Sequence, residues 1–412
     1  MSASRTVPTG HLPTLIAAFL HFDLSFMLWV SLGALGIYIA EDLGLSPAEK
    51  GLMVAIPILS GSLLRIPFGY LSDRFGSKRV GVALLGILFI PLTLGWQAGD
   101  TLPQLLGIGL LLGTAGASFT VALPLASGWY SQERQGLVMG VAAAGNSGTV
   151  IANLLAPRLA SVVGWHGVLG IAMLPLALVL IAFFVMAKDS PSRSQVRERT
   201  SYWTPLKQVD LWRFCLFYSV TFGGFVGMIS FLPLFLRDQF SVSPVTAGYL
   251  TALAAVVGSG LRPLGGHLAD RFGGVGVLSL LLAGISSIYA LLSLLPPLPL
   301  LMSLVVAGMA CLGMGNGAVF QLVPQRFARE IGIATGVIGA LGGLGGFFLP
   351  NLLGTVKAMS GSFASGFFVL TVLALVAVLL LRGIVAAYPG WPIRRAPATA
   401  PARVMMVPYL ET

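Results

Sequence analysis

The sequence predicts an all-α membrane protein of twelve transmembrane helices, built as two pseudo-symmetric six-helix halves. Three observations predict it. Only 9% of the 412 residues are charged and 56% are apolar, where an ordinary soluble domain carries about 25% charged residues. So few charges cannot cover the surface of a water-soluble chain of this length. Apolar stretches recur from Leu12 to Val385. Each has about 20 residues, enough to cross a ~30 Å hydrocarbon core as a helix. Finally, a set of residues in the first half returns in the second at a single offset of 197.

In chain order the spans are expected at 12–34, 51–72, 80–99, 103–126, 136–160, 166–187, 212–236, 244–268, 274–295, 298–322, 332–355 and 363–386. The first run continues to about Gly36, too long for the apolar core of a signal peptide, and no small-residue cleavage site follows it. It reads as the first span. The polar stretch from Lys188 to Lys207, with Ser, Arg, Glu and Pro, is the long interior linker. The expected division is therefore an N-terminal half at 1–187, a linker at 188–211, a C-terminal half at 212–387 and a tail at 388–412. The Pro- and Ala-rich tail is expected to be disordered. The 52 glycines suit close helix packing in lipid.

The net charge of +10 is first an orientation signal. With both termini on one side, 18 of the 24 Lys and Arg fall on that side and four on the other. Basic residues concentrate on the cytoplasmic side, so both termini are expected in the cytoplasm, in the cell's inner membrane. Nucleic-acid binding is not expected. The two cysteines, Cys215 and Cys311, sit in apolar runs and read as buried thiols. The four histidines show no metal-ligand spacing and no HExxH occurs, so neither a metal, a cofactor nor enzyme chemistry is expected.

The two remaining cations, Arg65 and Arg262, lie inside predicted spans and correspond under the repeat. The run Leu64-Arg65, Gly69, Asp73-Arg74-Phe75-Gly76 matches Leu261-Arg262, Gly266, Asp270-Arg271-Phe272-Gly273. Each arginine precedes its aspartate by eight residues, which places it ~12 Å inside the helix end. A mid-membrane arginine costs ~2.5–3.5 kcal/mol or more and keeps its proton. Of the 14 acidic residues only Asp23 falls within a span, and one carboxylate cannot neutralise both cations. The pair reads as a central site for a small anion, and guanidinium groups favour planar oxyanions through paired N–H donors.

Gly69-x-x-x-Asp73-Arg74-x-Gly76-x-Lys78-Arg79 resembles the loop motif between spans 2 and 3 of the major facilitator superfamily. The second copy, from Gly266 to Gly273 with Asp270 and Arg271, lacks the trailing basic pair. The resemblance covers nearly the whole chain. It implies parallel six-span repeats, a site between the halves and a cytoplasmic gate latch at Gly69, Asp73, Arg74, Gly76, Asp270 and Arg271. Plain turn-and-cap chemistry also accounts for these residues.

Further segments resemble the nitrate/nitrite porter family. They are Ala144-Gly145-Asn146-Ser147-Gly148 with Ala156-Pro157, the run Gly342-Gly343-Leu344-Gly345-Gly346 before Pro350, and His21-Phe22-Asp23 in the first span. The resemblance implies transport of nitrate or nitrite as a monomer, with Arg65 and Arg262 gripping the anion. It further implies that Asn146 and Tyr218 hydrogen-bond the ion and that Phe119 and Phe222 wall its flat faces. Gly145, Gly148, Gly342, Gly343, Gly345 and Gly346 would let helices slide; packing alone is the other reading. Proton symport and nitrate/nitrite exchange both remain open. For symport His21 and Asp23 are candidate proton carriers; otherwise His21 is a fixed hydrogen-bonding residue and Asp23 a partner for an arginine. A carrier of another small anion and a non-transporting nitrate sensor are the competing readings.

Overall fold

The computed structural model describes residues 10–130, 138, 142, 144–190, 203–327, 331–388 and 391. Arg134, the expected start of span 5, residues 191–202 of the 188–211 linker and most of the 388–412 tail lie outside the described residues. Span 1 runs in three helical pieces, Leu12–Trp29, Ser31–Ala34 and Gly36–Asp42. Pro47–Phe75, Ser77–Gln97 and Leu102–Ser127 are spans 2 to 4. Val209–Phe240, Pro244–Phe272, Gly274–Leu292 and Leu298–Arg326 are spans 7 to 10. Ile331–Ser360 and Ala364–Ala387 are spans 11 and 12. Among the described residues there is no strand.

One apolar helical stretch, Gly145–Met186, has 42 residues. At 1.5 Å per residue it would be ~63 Å long, twice a bilayer core. It is two spans. Gly164 sits at φ 71 inside it, a left-handed turn that only glycine adopts without strain, and divides span 5 from span 6. Twelve crossings result among the described residues, as the apolar pattern predicts. The first span is longer than its hydropathy suggests, continuing through Glu41 and Asp42.

Local chemistry starts the helices where the repeat says it should. Ser46 and Glu49 form a reciprocal capping box with Pro47 in the first turn of span 2. Ser243 caps span 8 at the backbone N–H of Thr246, with Pro244 in its first turn. Gly76 at φ 99 and Gly273 at φ 89 make the matching tight turns into spans 3 and 9.

The halves meet through equivalent positions. A Cβ on Gly51 of span 2 would fall 2.5 Å from the Pro350 carbonyl oxygen of span 11, and Gly248 of span 8 presses equally on the Asn153 carbonyl of span 5. Under the offset Gly51 becomes Gly248 and Asn153 becomes Pro350, so the two crossings are copies of one contact. Gly33 of span 1 packs against the Ser230 backbone, its own equivalent in span 7. Small residues allow this approach, which supplies van der Waals contact where lipid removes the hydrophobic driving force.

Regular helix also fails inside spans 4, 5, 7 and 8. A 3-10 segment at Gly113–Ser118 interrupts span 4, another at Ala144–Ser147 opens the described part of span 5, and a π segment at Ser219–Gly223 interrupts span 7. Span 8 breaks at Leu261, directly before Arg262. Such segments free backbone groups, and in a membrane that is tolerated where protein or a cavity supplies partners.

Candidate functional site

Arg65 projects from the middle of span 2 and is 1% exposed. Its Nε donates to the Gly116 carbonyl at 3.0 Å, on the 3-10 segment of span 4. Its Nη1 donates to the Gly339 carbonyl of span 11, across the boundary between halves. The irregular backbone of span 4 and the glycine-rich face of span 11 thus orient the guanidinium. Three rings surround it, with Cζ 5.3 Å from Trp29, 5.1 Å from Phe119 and 5.1 Å from Phe222. These contacts suit a cation, but neutral carbonyls and rings leave its charge uncompensated. Nη2 is buried and has no hydrogen-bond partner.

Arg262 occupies the equivalent place in span 8, with Cζ 5.7 Å from the Phe320 ring. Its Nη1 is buried without a partner. Arg65 and Arg262 are close enough to repel one another, and both act on Tyr218. The Tyr218 ring stacks on Phe222 at 5.0 Å and 2° and meets Phe320 edge-on at 4.9 Å. Its hydroxyl is buried and interacts with the Arg262 guanidinium, and its own hydrogen finds no acceptor. Phe119 and Phe320 approach to 6.3 Å across the halves.

No ion pair between described residues involves Arg65 or Arg262. Asp23, the acid expected as a partner for one of them, is engaged elsewhere: its Oδ1 accepts from the Ser147 hydroxyl at 2.6 Å. Arg65 Nη2, Arg262 Nη1 and the Tyr218 hydroxyl are therefore buried donors without acceptors, on side chains packed against the shared rings of Phe222 and Phe320. Buried polar groups are normally paired, and each unpaired one costs about 1–3 kcal/mol. What the arrangement can do chemically is bind a small oxyanion.

The structure brings Arg65, Arg262, Tyr218, Phe119 and Phe222 together. Asn146 is 2% exposed with Oδ1 unpartnered, on the 3-10 segment of span 5 that packs against span 8. Under the repeat it stands to Arg262 as Gly343 stands to Arg65, and a Cβ on Gly343 would lie 3.6 Å from Arg65 Nη1. The glycines sit at close crossings. Gly145 and Gly148 face span 1 at Phe22, Asp23 and Met27, while Gly342, Gly345 and Gly346 face span 7 at Tyr218, Ser219 and Val226.

His21 and Asp23 are not brought together. His21 is wholly buried, with Nδ1 2.7 Å from the Ser118 hydroxyl and Nε2 3.2 Å from the Gly81 carbonyl. Asp23 faces span 5 instead. Residues two apart on a helix point to different sides, and these two candidate proton carriers take different partners.

At the end of the bundle that carries the termini, Gly69 lies against Thr120 and Gly76 against Asp189. Asp189 also accepts the Lys78 backbone N–H at 3.1 Å, anchoring the start of span 3. Asp73, Asp270 and Arg271 are exposed. Arg74, placed in the gate latch by the motif, has no ion pair among the described residues; its guanidinium lies 5.3 Å over the adjacent Phe75 ring. The halves are instead bridged at the opposite end, where Lys50 pairs with Asp238 at 2.7 Å and Arg237 with Glu41 at 2.7 Å.

Sequence reasoning missed Trp29, the carbonyls of Gly116 and Gly339, and Asp189. Carbonyl roles carry no side-chain signal. The cluster Gly113-Thr114-Ala115-Gly116 was the available hint that span 4 lets another side chain approach its backbone.

A Major Facilitator Superfamily profile matches residues 15–350. The chain belongs to the Major Facilitator Superfamily. Within the superfamily it falls in the nitrate/nitrite porter family. It is 37% identical over 359 residues to the nitrite extrusion protein of Bacillus subtilis, covering 86% of this chain and 90% of that one. A probable nitrate/nitrite antiporter NarK1 of Thermus thermophilus is 34% identical over 398 residues, covering 88% and 89%. A probable nitrate transporter NarT of Staphylococcus epidermidis is 32% identical over 357 residues, covering 86% and 92%. Among solved structures, a point mutant of the nucleoside transporter NupG shares the superfamily fold at a TM-score of 0.71 and 15% identity, covering 90% of this chain and 99% of that one. A bacterial homolog of the human lysosomal transporter Spinster does so at 0.70 and 19%, covering 91% and 96%.

Proposed function

We propose that this chain is a secondary active transporter that carries nitrate and nitrite across the cytoplasmic membrane by alternating access, with the anion held between Arg65 and Arg262. One observation carries the reading. Two permanent cations stand at equivalent mid-membrane positions of the two halves, and neither has an acid partner among the described residues. The names of the relatives in Bacillus, Thermus and Staphylococcus support the cargo. The flat ion suits the site chemically: its oxygens accept from Arg65, Arg262, Tyr218 and Asn146, while Phe119 and Phe222 supply apolar surface.

The 18-to-4 asymmetry of basic residues supports a cytoplasmic location for both termini. The ion pairs at Lys50 and Arg237 then close the outer face, and the gate motif at Asp73 and Asp270 belongs to the cytoplasmic face. The repeat places a complete site within one chain, so a monomer suffices, in contact with lipid and with no bond chemistry on the cargo.

Exchange is the better supported coupling. Carrying one anion inward against the membrane potential costs ~2.3 kcal/mol per 100 mV, whereas swapping nitrate for nitrite moves no net charge. Symport needs a proton path, and His21 and Asp23 face different partners. The test is uptake of labelled nitrate into proteoliposomes preloaded with nitrite. Nitrite-dependent uptake, competed by unlabelled nitrate and not by formate, is expected. Stimulation by internal formate instead would reassign the cargo, and binding without flux would make the chain a sensor.

A further inference from the structure

Asn316 in span 10 has no part in the arrangement above. It is 1% exposed, and its Oδ1 has no hydrogen-bond partner. The repeat shows what it corresponds to. The offset of 197 carries Phe119 onto Asn316 and Ser25 onto Phe222. Phe119 and Phe222 are the rings that lie 5.1 Å from the Arg65 guanidinium. At the corresponding positions around Arg262 the chain has an amide and a hydroxyl. Ser25 is 0% exposed, and its Oγ is also without a partner. The pocket is therefore lopsided: three rings surround Arg65, while Arg262 has the Phe320 ring and, at the two corresponding positions, an amide and a hydroxyl.

Local packing fixes Asn316 beside Arg262. A Cβ on Gly317 would fall 2.6 Å from the Gly266 nitrogen and would strike the Arg262 carbonyl, so span 10 touches the span 8 backbone here. A Cβ on Gly315 would lie 2.6 Å from Thr221 Cγ2 of the π segment. Asn316 is held between these two contacts. Phe320 follows one turn later on the same face, and its ring packs on Arg262 and Tyr218. An amide is shorter than a phenyl ring and carries hydrogen-bonding atoms, so the position that presents an apolar face to Arg65 presents a polar group on the Arg262 side.

We propose that Asn316 is a specificity-determining residue of the anion site, donating an amide hydrogen to the third oxygen of a trigonal oxyanion seated on Arg262. This rests on the proposed function. Nitrate has three acceptor oxygens in one plane; nitrite has two. The arginines engage two oxygens of either ion, and the remaining nitrate oxygen is directed at Asn316. Nitrite presents no oxygen there, so the amide favours nitrate.

The test is equilibrium binding of nitrate and of nitrite to the purified full chain in detergent, for wild type, Asn316→Leu and Asn316→Ser. Asn316→Leu is expected to weaken nitrate about tenfold, the worth of one hydrogen bond to an anion, and nitrite less than about threefold. Asn316→Ser, smaller and still a donor, should fall between wild type and Asn316→Leu in the ratio of the two affinities. A misfolded variant loses both ions together, and the serine variant then carries the test. An unchanged ratio in a variant that still binds overturns the proposal. Wild type binding neither ion would remove the nitrate reading and this inference with it.

Discussion

Lys50 of span 2 and Asp238 of span 7 form a 2.7 Å ion pair across the two halves, with side chains only 17% and 15% exposed. Beside it, Arg237 reaches Glu41 with side chains 38% and 49% exposed. The two acceptors, Glu41 and Asp238, are themselves equivalent under the 197-residue offset. Among the described residues, the ion pairs that join the halves lie at this end. A half-buried pair is screened less than an exposed one.

The fastening should bias the conformational equilibrium. Lys50→Ala removes about 1 kcal/mol from the state closed at this end, which raises the population open there about fivefold. In a Cys215→Ala, Cys311→Ala background, a thiol at Ser230→Cys, where spans 1 and 7 touch, should be alkylated about fivefold faster. The exchanged pair Lys50→Asp with Asp238→Lys should restore slow labelling. Equal labelling in all three would mean the pair holds nothing shut.

Lysine cannot replace either central arginine. Arg65 uses Nε on Gly116 and Nη1 on Gly339 and still offers Nη2. An ammonium on a flexible stem cannot serve two fixed carbonyls and a planar ion together. Arg65→Lys and Arg262→Lys should each lower nitrate/nitrite exchange by ~100-fold or more. They should differ in stability. Arg65→Lys leaves the Gly116 and Gly339 carbonyls short of a donor and should lower the melting temperature in detergent; Arg262→Lys, which breaks no such bond, should not.

The glycines at the span crossings can be ranked. A side chain at Gly148 would run into the Asp23 carbonyl, and one at Gly345 into that of Ser219. Backbone cannot move aside cheaply, so Gly148→Ala and Gly345→Ala should each cost about 1–3 kcal/mol. Gly336 and Gly86 face open space, and alanine there should be neutral or slightly stabilising. Thermal stability of the four variants checks the order.

Much of this was legible in the sequence, for definite reasons. A charge in an apolar run is conspicuous because lipid penalises it, so Arg65 and Arg262 stood out at once. The repeat located them at equivalent depths without coordinates. Contacts made by backbone carried no such signal: nothing in the identity of Gly339 says that its carbonyl meets Arg65. Long-range partners were equally hidden. Asp23 was the one acid within an expected span and a candidate partner for an arginine, and only the packing of span 5 on span 1 shows it bound to Ser147. The first span runs past its hydropathic end through Glu41, whose ionic partner lies 196 residues away, which a local window cannot see.

The same hidden partners decide what His21 and Asp23 should do when altered. His21 bridges span 4 and span 3 through Ser118 and the Gly81 carbonyl, with no exposed surface. Its loss should therefore be structural: His21→Ala leaves both partners unpaired and should cost about 1–3 kcal/mol. Asp23→Asn keeps an acceptor for the Ser147 hydroxyl and should fold normally. If transport is exchange, neither residue carries a proton during the cycle. Nitrate/nitrite exchange by Asp23→Asn should then stay within about threefold of wild type, with an unchanged profile between about pH 6 and pH 8, where an ordinary imidazole titrates. An imposed pH gradient should not drive nitrate into wild-type proteoliposomes that lack internal nitrite. Acceleration by the gradient, abolished in Asp23→Asn, would show that a proton does travel with the anion by way of the carboxylate alone.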